Sequence, residues 1–301
     1  MDMHEQIDGF MSYLTAERNY SDKTVVVYDA ALVELCGFVR DGYGVSSWQD
    51  VTTNMLRDWV VAQMERGSSP ATVNKKLSST RSFYKHLLRN GLVTTDPSRK
   101  VNGPKKEKQL PSFVRESEMD NLLDHVEFGD DFMGKRNRLI ILIFYSTGIR
   151  RAELVGLDVE SIDFYTNTLK VLGKRNKERI VPFGQELRDA LEEYIGLRSA
   201  QVGADRSHAL FLGPRGGRIN AADVGKMVHG YLSQVTTIRR RTPHVLRHSF
   251  ATAMLNNGAE LEVVKQLLGH ESIATTEIYT HTTFEELKKA YAKAHPRAEE
   301  E

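Results

Sequence analysis

Four short stretches of this 301-residue chain put phosphate-gripping and proton-moving side chains close together. Thr242-Pro243 reads as a helix start, a cap residue followed by proline at the first helical position. It places His244 and Arg247 three residues apart on one helix face, near the end that attracts anions. Taken alone, His-x-x-Arg is also what an ordinary polar helix face looks like. Gly148-Ile149-Arg150 follows an apolar run, with Glu153 three residues beyond Arg150. Gly148 can turn the chain sharply and aim Arg150 inward, while Arg151 points elsewhere. Glu153 would orient the Arg150 guanidinium or stabilise a helix N-terminus. Leu268-Gly269-His270 reads as a helix end and turn, and Tyr279 follows nine residues after His270. The chain has 11 tyrosines, so Tyr279 alone reads as a core or interface residue. Lys174 sits in the basic stretch Gly173-Lys174-Arg175-Asn176-Lys177, with Lys177 as its rival for any chemical role.

These side chains need elements to hold them. Leu169 to Leu172 and Arg179 to Val181 read as two strands flanking that basic tip, within a stretch of short strands from Leu157 to Phe183. Arg138 to Thr147 reads as a buried apolar helix and Glu116 to Val126 as another helix. Helices and turns alternate after that, with turns at Gly216-Gly217, Gly258 and Gly269. Upstream, Ile7, Phe10, Met11 and Leu14 recur at helical spacing, and Ser21 caps a helix carrying Tyr28, Leu32, Leu35 and Val39. Ser69-Pro70 starts a further helix that Gly91 can end. That helix carries Lys75, Lys76, Arg81 and Lys85, a candidate face for a nucleic-acid backbone. Residues 102–111, with two prolines, a glycine and basic residues including Lys105 and Lys106, are the expected linker.

Net charge is +1, yet charge is strongly segregated. Residues 1–65 carry −7, residues 66–108 carry +9, residues 206–247 carry +7 and residues 260–301 carry −4. Two basic stretches nearly free of acids point to a polyanion partner. Charged residues at 27% and apolar residues at 40% exclude a mostly disordered chain. No apolar run is long enough to span a bilayer, and the polar N-terminus is not a secretory signal. Cys36 is the single cysteine, which excludes an internal disulfide and a cysteine metal cluster and fits a cytoplasmic protein.

The ordered set Gly148-x-Arg150-x-x-Glu153, Lys174 on its hairpin, His244-x-x-Arg247, Leu268-Gly269-His270 and Tyr279 resembles the tyrosine recombinase (phage-integrase-type) family. The resemblance is close at residues 147–154, 173–179, 243–252 and 267–281, and covers about residues 110–295. The first hundred residues look like the family's core-binding, SAM-like domain. The implied fold is mainly α with a small antiparallel β-sheet, arranged as a C-shaped DNA clamp. Its expected parts are a helical DNA-binding domain (1–101), a linker (102–111) and a catalytic domain (112–301) ending in an exchange helix. The compact layout leads us to expect no separate arm-binding domain and looks most like the bacterial Xer branch (XerC/XerD-like), which resolves chromosome dimers. Ala253 departs from that branch, where many members have histidine after Phe-Ala-Thr.

The resemblance implies that Tyr279 attacks a DNA phosphodiester and forms a 3′-phosphotyrosyl link without ATP. Arg150, Arg247 and His270 would stabilise the phosphoryl transition state. His244 would act as general base or assist it, Lys174 as general acid, and Glu153 in support. It implies no cofactor and no metal; a zinc site of His244, His248 and His270 is the competing reading. Expected partners are double-stranded DNA, a synaptic tetramer linked by the stripe Phe284, Leu287, Ala290 and Tyr291, and a DNA translocase of FtsK type. No membrane partner is expected, and the location would be cytoplasmic at the nucleoid. Other readings are an integrase or transposase of a mobile element, a type IB topoisomerase, and a non-catalytic DNA-binding regulator.

Overall fold

The computed structural model is described for residues 2–105, 112–173, 177–202, 207–269 and 284–298. The expected site residues Lys106, Lys174, His270 and Tyr279 lie outside the described residues. The chain divides into two compact units, 1–109 and 110–301.

The first unit is a helical bundle of α1 (Met3–Ala16), α2 (Asp22–Tyr43), α3 (Thr53–Glu65) and α4 (Pro70–Arg89). Helical spacing of Ile7, Phe10 and Leu14 buries one face of α1, and Leu32, Leu35 and Val39 do the same for α2. They meet Trp48, Trp59, Phe83 and Tyr84 in one core. Each such side chain contributes about 1.5–3 kcal/mol relative to exposure. Ser69 caps α4 by accepting from the Thr72 N–H at 3.2 Å, with Pro70 at the first helical position. Ser21 is also an N-cap residue, but its hydroxyl pairs with that of Thr24 rather than with the backbone. The stretch read as a linker stays on α4 as far as Pro104, whose carbonyl accepts from Asn74 Nδ2 at 2.8 Å, and Val101 is fully buried.

The second unit is built on α6 (Phe132–Thr147), in which every residue from Leu139 to Thr147 is buried. It starts six residues before the apolar stretch because Asp131 caps it, accepting from the Gly134 N–H at 2.8 Å. Around it lie α5 (Glu116–His125), α7 (Arg151–Val155), α8 (Gln185–Val202), α9 (Ala221–Val235), α10 (Pro243–Asn256), α11 (Leu261–Leu268) and α12 (Phe284–Ala294). Three antiparallel strands, β1 (Ile162–Asp163), β2 (Thr168–Leu172) and β3 (Glu178–Pro182), form the sheet in that order. Leu157 to Val159 makes only a short antiparallel bridge, Asp158 to Ala209. The chain then closes in a tight 3-10 turn over Val159–Ser161, with the Asp158 N–H on Ser161 Oγ at 3.1 Å. The two strands that flank the basic tip pair as expected, Leu172 with Glu178 and Val171 with Arg179, while residues 174–176 of the tip lie outside the described residues. Period-two alternation turns Val171 and Val181 inward.

In this single chain α12 packs on its own unit. Tyr291 is buried with Phe250, Met254 and Leu268. His295 stacks on Tyr291 at 5.2 Å, and its Nε2 faces the Tyr145 carbonyl at 3.0 Å. Burial, with the nearby Arg297 charge, pushes the His295 imidazole down to about 4, so it is neutral. Arg297 then clasps Glu186 (2.9 and 3.0 Å), Asp120 (3.1 Å) and Asp124 (2.6 Å). Because those carboxylates are partly solvated, Arg297→Ala should destabilise this unit by about 1–2 kcal/mol. A shift in the urea midpoint measures it, and an unchanged midpoint would show that the clasp is dispensable.

Candidate active site

Gly148 ends α6 in the left-handed region, at φ +60°. A Cβ there would lie 2.5 Å from Phe250 and 2.7 Å from Leu268, so only glycine lets α6, α10 and α11 meet this closely. The turn delivers Arg150 to the N-cap of α7. Its backbone N–H donates to Glu153 Oε2 at 2.7 Å, its Nη1 to Glu153 Oε1 at 2.7 Å, and its Nη2 to the Gly269 carbonyl at 2.9 Å. Both readings of Glu153 therefore hold together: it caps the helix and orients the arginine.

Glu153 has a second partner. Arg179 on β3 meets it bidentately, Nη1 to Oε1 at 3.0 Å and Nη2 to Oε2 at 2.7 Å. The Glu153 side chain is only 4% exposed. Burial alone would raise its pKa, but hydrogen bonds from Arg179 and from the Arg150 backbone overcome this and hold the carboxyl at about 2. Arg179 was not among the sequence candidates. The signal was available: Val181 faces the core, so Arg179, two residues earlier on the same strand, must face inward too.

Arg247 lies on α10, nearly buried at 8% exposure. Its Nη1 donates to the Gly148 carbonyl at 2.6 Å and its Nη2 to the Leu268 carbonyl at 2.7 Å. Burial, and then repulsion from Arg150, push its pKa down to about 10, which still leaves it charged at neutral pH. The third arginine joins in, Arg179 Nε donating to the Leu267 carbonyl at 3.1 Å. Three consecutive carbonyls, 267 to 269, thus each hold one guanidinium. They are terminal carbonyls of α11, which lack partners within the helix and sit at its negative end. Gly269 adopts φ +64°, and a Cβ there would come within 3.1–3.2 Å of Arg179. Among the described residues, three guanidiniums face one carboxylate, so positive charge is in excess. Among the described residues, Arg150 and Arg247 each use two of five N–H donors.

His244 is the second residue of α10 and is exposed. Partial burial first, then the charges of Arg151 and Arg247, lower its pKa below the ordinary histidine value. The neutral imidazole is therefore the favoured form. Arg151 itself lies against Gly225 of α9, away from the cluster. The Gly173 N–H closes on the Lys177 carbonyl at 2.8 Å. Gly173, the residue before Lys174, lies beside Glu153 and Arg179, and Lys177 is exposed. Among the described residues no group of three His, Cys, Asp or Glu could hold a metal ion. No helix among them is long and apolar enough to cross a membrane.

In the first unit, Lys75, Arg81, Lys85 and Lys105 are exposed. Lys76 differs from the expectation. Its ammonium pairs with Glu34 and with Gln63 Oε1 (2.7 Å), so its charge is committed within the bundle. The helical phase explains it: Lys76 follows Val73 by three residues and precedes Thr80 by four and Phe83 by seven, all buried.

The phage integrase family model matches residues 112–286, and the model of the phage integrase N-terminal SAM-like domain matches residues 7–91. A tyrosine recombinase XerC of Halalkalibacterium halodurans is 39% identical over 297 residues, covering 97% of each chain. One from Pelobacter propionicus is 37% identical over 294 residues, covering 98% of this chain and 96% of its own. The fold matches the Tn1549 transposon integrase in complex with circular intermediate DNA, at TM-score 0.72, 20% identity and coverage of 96% and 98%. It also matches a XerH site-specific recombinase bound to palindromic difH, at TM-score 0.72, 22% identity and coverage of 91% and 81%.

Glu153 sets an acid-stability signature. Its folded pKa lies below the ordinary 4.5, so its contribution is complete above that value and is lost as pH falls through about 2. Glu153→Gln should destabilise the protein by about 3 kcal/mol at pH 7. The gap to the parent should narrow below pH 4.5. Urea midpoints across pH measure this, and a gap independent of pH would contradict it.

Proposed function

The chain belongs to the phage integrase family of tyrosine site-specific recombinases, enzymes that cut and rejoin DNA, and from that premise we propose how its own residues carry the reaction and where it acts. The observation that carries the proposal is the trio of arginines held by carbonyls 267–269 and Glu153, with N–H donors left to grip an anion. In the proposed reaction the Tyr279 oxygen attacks the scissile phosphorus and the bond to the 5′-oxygen breaks. The tyrosine proton passes to His244, and Lys174 supplies the proton that the leaving 5′-oxygen needs. Arg150, Arg247 and His270 donate to the non-bridging oxygens as their charge grows. Planar forks suit this task better than ammonium groups do. The 3′-phosphotyrosyl bond conserves the energy of the broken ester, so rejoining is the same exchange in reverse and needs no ATP.

The proposed DNA-backbone contacts are Lys75, Arg81, Lys85, Lys105 and Lys106. The proposed biological role is resolution of chromosome dimers at cell division, at the nucleoid, by a synaptic tetramer under control of an FtsK-like translocase. Full-length similarity to curated XerC proteins supports that role. For α12 to link neighbouring copies, the Arg297 clasp must open first.

A nicked suicide duplex carrying the host's dimer-resolution site should give a covalent complex that Tyr279→Phe abolishes. A Tyr279-dependent complex only on attachment-type repeats would move the role to a mobile element. With a neutral His244 as base, the cleavage rate should stay flat as pH falls through the ordinary histidine range and drop only below it. For the first unit, Lys75→Glu and Lys85→Glu should each weaken DNA binding and lower the salt slope by about one. Lys76→Ala should lower stability more than affinity.

A further inference from the structure

Arg179 belongs to none of the expected catalytic positions, yet it touches three of the motifs that make the site. All three nitrogens of its guanidinium bond to the protein: Nη1 and Nη2 bidentately to both Glu153 oxygens, and Nε to the Leu267 carbonyl. Gly269 and Gly173 leave room around it, with a Cβ at Gly269 coming within 3.1 Å of its Cδ and one at Gly173 within 3.7 Å of its Nη1. Its side chain is 15% exposed, against 29% for Arg150. Arg179 is thus poorly placed to grip a substrate itself.

Glu153 shares its single negative charge between two arginines in unequal geometry. Arg179 spans both oxygens, while the Arg150 guanidinium reaches only Oε1 through Nη1. Bidentate pairing is the stronger form. Without Arg179, the buried carboxylate would keep, among the described residues, the Arg150 guanidinium as its charge partner and would hold it more tightly.

We propose that Arg179 is a positioning residue: it neutralises Glu153, and so leaves the charge and the free N–H donors of Arg150 available to the scissile phosphate. This rests on the reading above that Arg150 grips that phosphate. Lysine is a poor substitute, since one ammonium cannot span both carboxylate oxygens and the Leu267 carbonyl together.

The test compares the parent, Arg179→Gln, Arg179→Lys and Tyr279→Phe on two suicide duplexes. One has an ordinary scissile phosphodiester. The other has a methylphosphonate there, with one charged non-bridging oxygen replaced by a methyl group. Arg179→Gln should cleave the ordinary duplex about 10²-fold more slowly, with DNA affinity unchanged. On the methylphosphonate its deficit should shrink to about threefold, because less charge needs neutralising, and Arg179→Lys should fall between. A parental rate for Arg179→Gln, or an equal deficit on both duplexes, would overturn the proposal and leave Arg179 a purely structural residue. If Arg179→Gln does not fold, Arg179→Lys carries the same comparison. Failure of the parent to cleave either duplex would instead overturn the functional reading, and this proposal with it.

Discussion

Three consecutive carbonyl oxygens at the end of α11 hold the catalytic unit's chemistry in place. Leu267, Leu268 and Gly269 each accept from a different arginine: Arg179 on a strand, Arg247 on a helix and Arg150 at a helix cap. Like charges so close repel, and the assembly stands because a helix C-terminus offers carbonyls that want donors and a partial negative charge. Glu153 adds a full negative charge. The arginine cluster is thereby held in place by the protein itself, as stabilisation of a developing oxyanion requires. The next residue after this turn is His270, so the same turn starts the segment leading to Tyr279.

Everything else in the unit serves that turn. The buried stretch of α6 ends at Gly148, whose missing side chain admits Phe250 and Leu268 and whose carbonyl takes the second Arg247 bond. β3 carries Arg179 into the cluster and, through the hairpin, sets Gly173 beside Glu153. The tail docks by a separate device. His295 is buried neutral among aromatic rings, and Arg297 reaches carboxylates on α5 and α8. Proposed exchange between copies would have to open those contacts.

Much of this was legible in the sequence because local spacing encodes it. Gly148-x-Arg150-x-x-Glu153 gives a turn, a cap and a paired arginine from six residues of chain, and Thr242-Pro243 fixes the start of α10. What spacing does not encode is partnership at long range. Arg150 meets the Gly269 carbonyl across 119 residues, and a backbone oxygen has no sequence signature. Lys76 has the residue type of a backbone contact, but its phase beside Val73 and Thr80 turns its ammonium toward Glu34 and Gln63. Arg179 has the reverse character, its place set by strand phase with Val181 rather than by the basic tip before it.

The most direct test of the account is a crystal structure of the protein on cut DNA with orthovanadate bridging the severed ends, mimicking the phosphoryl transition state. The account predicts Arg150 and Arg247 on the equatorial vanadate oxygens and Tyr279 at one apex, with Arg179 still paired bidentately with Glu153. Vanadate gripped by Arg179, or bound away from Arg150 and Arg247, would contradict it.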